Sequence, residues 1–236
     1  CGADQMCQEC EVEATSCTTN QQCTGVCAGC NTETNTCQYM CEPVEYLQSN
    51  GNQYIDTDYV PNNNSVVEYD FEPLSITIAR FMFGVWGNTN TKGRMYIYTG
   101  GGTGPIQYGF GVGTSVAGVN YINSNVQMSL QRHLCVMDKT SLTYDGTALT
   151  TGLSGDMTGN TAKFWIGKCN DLNGRATDPT KIYSCKITDN GTLVRNFLPV
   201  LAPKKEGTGQ EPAMFDKVNN KIYYNAGTGT FKTNLD

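Results

Sequence analysis

The stretch Ser65-Val-Val-Glu-Tyr-Asp-Phe-Glu-Pro73 runs in steps of two: Val67, Tyr69 and Phe71 alternate with Glu68, Asp70 and Glu72. Successive side chains of a strand point to opposite faces, so one side of this segment is apolar and the other carries three carboxylates. The same period recurs further along. Ile106, Tyr108, Phe110 and Val112 alternate with Gln107, Gly109, Gly111 and Gly113, and Met95 and Ile97 alternate with Arg94, Tyr96 and Tyr98. In 81–86, Phe81, Phe83 and Val85 read as inward, leaving Arg80, Met82, Gly84 and Trp86 outward. Half-buried alternation of this kind is what two packed antiparallel sheets require. Further strands are expected at 131–137, 162–168, 181–188, 192–198 and 221–224. Turn signals punctuate them at Asn50-Gly51, Pro61-Asn62, Asp145-Gly146, Asn173-Gly174 and Asn190-Gly191, and Gly100 to Gly104 reads as a turn with no phosphate-loop Lys after it. No window holds the apolar spacing of a helix over three turns, and no run of eighteen apolar residues exists to span a membrane.

The other decisive stretch is the beginning. Nine of the twelve cysteines lie in the first 41 residues, at Cys1, Cys7, Cys10, Cys17, Cys23, Cys27, Cys30, Cys37 and Cys41. A segment this short buries too little apolar surface to offset chain entropy, so disulfides must hold it, in a compartment outside the reducing cytosol. Cys7, Cys10 and Cys17 repeat as Cys27, Cys30 and Cys37 at an offset of twenty, which reads as two small knots in tandem. The two CxxC pairs also have the spacing of a four-thiolate zinc site; the surplus cysteines and the oxidising compartment favour disulfides. The connectivity of Cys7, Cys10, Cys17, Cys23, Cys27, Cys30, Cys37 and Cys41 stays open. Nine is odd, and Cys1, followed by Gly2 and Ala3, either carries a lipid or pairs elsewhere. The domains expected are therefore a disulfide-rich module at 1–41 and a β-sandwich at 42–236.

Charge follows the same division. The 79 residues before Arg80 carry twelve acidic side chains and no basic one, and all sixteen basic residues come later. Phosphate binding needs a clustered basic surface, so nucleic acid is not expected as a partner. An acidic front and a basic rear suit head-to-tail self-association.

Four segments carry a resemblance. Glu45-Tyr-Leu-Gln-Ser-Asn-Gly-Asn-Gln-Tyr-Ile-Asp-Thr-Asp58, the strand from Ser65 to Phe71, Lys181-Ile-Tyr-Ser-Cys-Lys-Ile-Thr-Asp-Asn-Gly-Thr-Leu-Val-Arg-Asn-Phe197 and the segment from Met214 to Phe231 resemble the laminin-G-like, concanavalin-A-like domains of bacterial surface and phage proteins. The likeness spans nearly all of 44–236. It implies an all-β, two-sheet antiparallel jelly-roll sandwich, in a superfamily that contains lectin modules, adhesins, structural repeats and glycosidases. Where such domains usually carry a bulky apolar residue, this chain has Cys185, which hints at a bond to Cys135 or Cys169 or at a buried thiol.

The sharpest catalytic reading is Glu68-Tyr-Asp-Phe-Glu72. It resembles the ExDxE strand of a sandwich-fold family of retaining glycosidases, which implies Glu68 as nucleophile, Asp70 as helper and Glu72 as acid. Pro73 and the lack of surrounding Trp count against it, and cross-strand pairing with Arg80 or Arg94 is the structural alternative. His133 is the single histidine; a Ser-His-Asp triad would have to use it, no Ser stands in a GxSxG elbow, and it reads as a sandwich residue. No cofactor is required. Calcium stays open at two oxygen-rich loops, Asp56 with Asp58 and Asn170, Asp171, Asn173 with Asp178; Asx turns without metal explain the same residues. The expected binding site gathers the outward residues Trp86, Arg94, Tyr96, Tyr98 and Gln107: aromatic faces against sugar C–H groups, polar groups for hydroxyls. The reading is an extracellular or cell-surface, non-enzymatic protein that binds glycan or a surface protein. A structural subunit of an extracellular assembly is the alternative.

Overall fold

The computed structural model of the chain describes residues 16–18, 23, 27–31, 33–39, 41–76, 80–87, 89–99, 104–114, 116–171 and 177–236. Among these the regular structure is strand throughout: β1 (Ala28–Asn31), β2 (Thr36–Tyr39), β3 (Glu42–Pro43), β4 (Leu47–Ser49), β5 (Ile55–Asp56), β6 (Ser65–Pro73), β7 (Arg80–Trp86), β8 (Arg94–Thr99), β9 (Pro105–Gly111), β10 (Tyr121–Gln127), β11 (His133–Met137), β12 (Ser141–Tyr144), β13 (Thr147–Thr151), β14 (Trp165–Ile166), β15 (Cys169–Asp171), β16 (Thr180–Asp189), β17 (Thr192–Pro203), β18 (Gln210–Asp216) and β19 (Lys221–Tyr224). No described helix is long and apolar enough to cross a membrane.

The larger sheet runs β13-β12-β11-β6-β16-β17-β18-β19, with β3 on β17 and β4 on β16. The smaller runs β10-β9-β8-β7-β14-β5, and β15 joins β7 in parallel while the other pairings are antiparallel. The alternation at 65–73 holds as read: Val67, Tyr69 and Phe71 are fully buried, and Glu68, Asp70 and Glu72 lie on the far face. The Tyr69 ring stacks on Phe83 of the opposite sheet at 3.7 Å, and Phe71 meets the same ring edge-on at 5.3 Å. Such aromatic pairs contribute about 0.5–1.5 kcal/mol each beyond their buried area. The buried Tyr69 phenol is not orphaned, because it accepts the Gly167 N–H at 3.2 Å. Two of the turn signals close hairpins: Asp145 and Gly146 (φ 49° and 78°) join β12 to β13, and Asn190 and Gly191 (φ 48° and 77°) join β16 to β17. Positive φ at both central residues matches the twist of the flanking strands.

The outer side of β7 departs from the alternation expected of it. A bulge sets Phe81 opposite Tyr98 but Phe83 opposite Ile97, so one extra residue, Met82, is inserted. Met82 therefore enters the main core with Phe83 and Val85, and Phe81 turns to the opposite side of the sheet.

The thiols also settle. Cys135 and Cys185 both stand opposite Tyr69, one on each neighbouring strand. Two strand spacings, about 9–10 Å, separate them, beyond the reach of a disulfide. Cys135, Cys185 and Cys169 are buried thiols, and burial pushes those of Cys135 and Cys185 up.

The N-terminal part is stapled. Cys23 bonds Cys37 and Cys27 bonds Cys41, each across a separation of 14 residues, and Cys17 is disulfide-bonded as well. Loops of that length contribute about 3 kcal/mol each in the chain-entropy account. The Cys17, Cys23 and Cys37 sulfurs lie within 4.8 Å of one another, close enough for a metal, but as disulfide sulfurs they are not thiolate ligands. Cys30 sits in β1 opposite Cys37; Cys1, Cys7 and Cys10 lie outside the described residues. The Cys27–Cys41 bridge packs against Val200, Ala202, Ala213 and Phe215, and β3 pairs with β17, so this part of the module is seated on the larger sheet.

Candidate functional site

The expected ligand face assembles, but it is not open. Phe81, turned outward by the bulge, fills the space between the aromatics: its ring lies 5.7 Å from Trp86, 5.0 Å from Tyr96 edge-on and 5.0 Å from Tyr98. With Cys169 these residues form a second apolar cluster, and Trp86, Tyr96 and Arg94 retain 9%, 2% and 0% exposure. Tyr96 lies flat over Gly109, where an added Cβ would come within 2.4 Å of the ring. Its hydroxyl donates to Gln107 Oε1 at 2.7 Å, and the Gln107 amide donates to Asn123 at 2.9 Å. Three of the five expected ligand residues are thus packed away from solvent; Tyr98 and Gln107 remain half-buried. Arg94 donates from Nη2 to the Gly113 carbonyl at 2.8 Å, while Nε and Nη1 are buried with no hydrogen-bond partner among the described residues. Burial pushes this guanidinium below its ordinary range, the nearby Tyr96 opposing.

The three carboxylates of β6 each meet a cation. Lys186 reaches Glu68 at 2.5 Å, Arg132 grips Asp70 with two bonds of 2.8 and 2.7 Å, and Lys181 and the Tyr183 hydroxyl reach Glu72 at 3.1 and 2.7 Å. The partners are Arg132, Lys181 and Lys186, supplied by β16 and the approach to β11, and not Arg80 or Arg94. Partial burial alone would raise the Glu72 carboxyl, but Tyr183 and Lys181 bring it below its ordinary value. A glycosidase acid needs the opposite shift, so the residue assigned as acid is held as a carboxylate.

Of the calcium candidates, Asp56, Asp58 and Asp178 also meet a cation. Lys163 Nζ lies 2.6 Å from Asp58 and 3.5 Å from Asp56, and Lys221 lies 3.4 Å from Asp58. The Lys163 bond leads the causes that lower the Asp58 carboxyl. Asp178 is 2% exposed and faces Arg80 at 3.5 Å. Asp171 ends β15, Asn170 donates its amide to the Lys163 carbonyl, and Asn173 lies outside the described residues.

A concave site exists elsewhere. A cleft of ≈ 310 Å³ opens between residues 60–64 and 157–160, where the loop before β6 meets the loop before β14. Its amides are fixed from behind. Asn63 donates to Asp156 at 2.7 Å and accepts the Met157 N–H at 2.8 Å; Asn160 donates to the Pro61 carbonyl at 3.0 Å and accepts the Gly93 N–H at 2.9 Å; Asn62 donates to Asp189 at 2.9 Å. Asp156 is held to about 2 by the Asn63 and Thr158 bonds, so it stays an acceptor. Asn64 and Thr158 are exposed at the rim, and buried Met157 and Pro61 supply the apolar part. Of this site the sequence reading held only the Pro61-Asn62 turn. The run Asn62-Asn63-Asn64 was the available signal.

Fold and cleft together define a disulfide-stapled, two-sheet antiparallel sandwich with a polar, amide-lined cleft formed by the loops that precede β6 and β14. No protein-family model, no curated protein and no solved structure matches the chain.

Proposed function

We propose that this chain is an extracellular or cell-surface protein that binds glycan, without acting on it, in the cleft between 60–64 and 157–160. The observation that supports it is the set of amides locked by their own hydrogen bonds around an apolar base, in a volume at the low end of ligand clefts. Donors and acceptors held in advance lose little entropy on meeting sugar hydroxyls. The Cys23–Cys37 and Cys27–Cys41 bridges favour an oxidising compartment. Binding of the oxidised protein to a broad glycan array, with and without calcium, tests the reading. Retention should be lost in Asn64→Ala with Thr158→Ala and kept in Tyr98→Ala. Binding to no glycan, or loss in the Tyr98 variant alone, contradicts it.

A further inference from the structure

The single histidine of the chain sits in a relay that neither the core nor the cleft uses. His133 opens β11 and is 6% exposed. Its Nδ1 lies 2.7 Å from Asp145 Oδ2, and its Nε2 lies 3.0 Å from the hydroxyl of Ser129. Both outer members reach solvent: Ser129 is exposed, and the Asp145 side chain keeps 47% of its surface.

The relay is fixed on every side. Asp145 begins the β12–β13 turn, and its other carboxylate oxygen accepts the Leu134 N–H at 2.9 Å while its own amide donates to the Leu134 carbonyl. The Tyr144 ring covers the imidazole with centroids 4.5 Å apart and lies against the Ser129 backbone. A carboxylate can only accept, so Nδ1 donates to Asp145, while Nε2 faces the Ser129 hydroxyl. The Ser129 carbonyl stands 3.2 Å from the same Nε2.

We propose that Ser129 is a nucleophilic serine that takes acyl groups from exposed esters, with His133 as its base and Asp145 as a positioning residue. The serine oxygen attacks the ester carbonyl as its proton moves to Nε2. Collapse of the tetrahedral intermediate breaks the bond to the alcohol, which leaves with the proton from Nε2. Water, deprotonated by the same nitrogen, then attacks the acyl carbon; the acyl–Oγ bond breaks, the acid leaves, and Nε2 returns the proton to Ser129 Oγ. Leu130, 52% exposed, follows the serine directly and is the adjacent apolar side chain for the acyl part. The activity is independent of the cleft.

Because the chain has one histidine, its imidazole nitrogens can be observed without assignment. ¹⁵N-histidine NMR of the oxidised full chain should show Nδ1 protonated and Nε2 unprotonated, and Asp145→Asn should invert the two. A fluorophosphonate should label Ser129, not label Ser129→Ala, and react about 100-fold or more slowly with Asp145→Asn, whose side-chain oxygen can still accept from Leu134. His133 is left in place because its burial makes its own substitution a test of folding. An unlabelled wild-type protein, label that persists in Ser129→Ala, an Asp145→Asn rate equal to wild type, or a proton resident on Nε2 overturns the proposal.

Discussion

The two outward faces of the sandwich obey the same alternation and end in opposite environments. On the larger sheet, the residues alternating with Val67, Tyr69 and Phe71 are charged, and they pair, half-buried, with Arg132, Lys181 and Lys186. On the smaller sheet, the residues alternating with Met95 and Ile97 are Arg94, Tyr96 and Tyr98, and the first two are buried, Tyr96 within a second aromatic cluster. A period of two tells which residues leave the main core. It does not tell whether what they meet is water. The chemistry of the outward residues decides: carboxylates need solvation or cations, whereas Phe81, Trp86 and Tyr96 gain by covering one another.

Substitutions on matched faces sharpen this contrast. Tyr96→Ala should lower the unfolding free energy by about 3–5 kcal/mol, the cost of a large buried aromatic, whereas Leu134→Ala on the other outward face should change it by about 0.5 kcal/mol or less. Urea unfolding curves of the pair give the difference, and equal effects would break the contrast. The Cys27→Ser, Cys41→Ser variant should lose about 2–4 kcal/mol wherever module and sandwich unfold together. An early separate transition would show instead that the module only rests on β17 and β18.

Arg94 gives the next effect and the opposite sign. A buried guanidinium with one hydrogen bond among the described residues costs stability, so Arg94→Met should raise the unfolding free energy by on the order of 1–3 kcal/mol, seen as a higher melting temperature. A loss would mean that water or an anion reaches the face. On the charged sheet, Arg132→Ala should cost about 1 kcal/mol or less, since half-exposed ion pairs gain little over solvated ones. The smallest effect is a slope with pH. Asp156 is depressed in the folded state to about 2, so the stability it contributes is present at neutral pH. That contribution is lost as pH falls from about 4, the ordinary carboxylate value, towards 2. Asn63→Ala should flatten the melting curve across that window.

What could be read from the sequence followed what is local. The strand at 65–73, the disulfide reading of the N-terminal part, seen at Cys17, Cys23, Cys27, Cys37 and Cys41, and the Asp145-Gly146 and Asn190-Gly191 hairpins are each written in a few adjacent residues. The bulge at Met82 is not, because Phe81, Met82 and Phe83 are all apolar and any of them can face a core. The cations beside Glu68, Asp70 and Glu72 come from strands some 60 to 120 residues away, so only the register of β6 between β11 and β16 names them. The same limit hid the partners of His133. Its serine lies four residues back and its aspartate twelve ahead, and a turn of known geometry is needed to bring them to one imidazole.

The most direct measurement uses the two tryptophans. Trp165→Phe leaves Trp86 as the sole indole of the chain, so its emission reports the smaller sheet's outward face alone. Blue-shifted emission that resists acrylamide and is unmoved by any glycan the protein binds is the predicted result. Red-shifted, readily quenched emission, or a shift on glycan addition, would contradict the account and return the binding site to the sheet face.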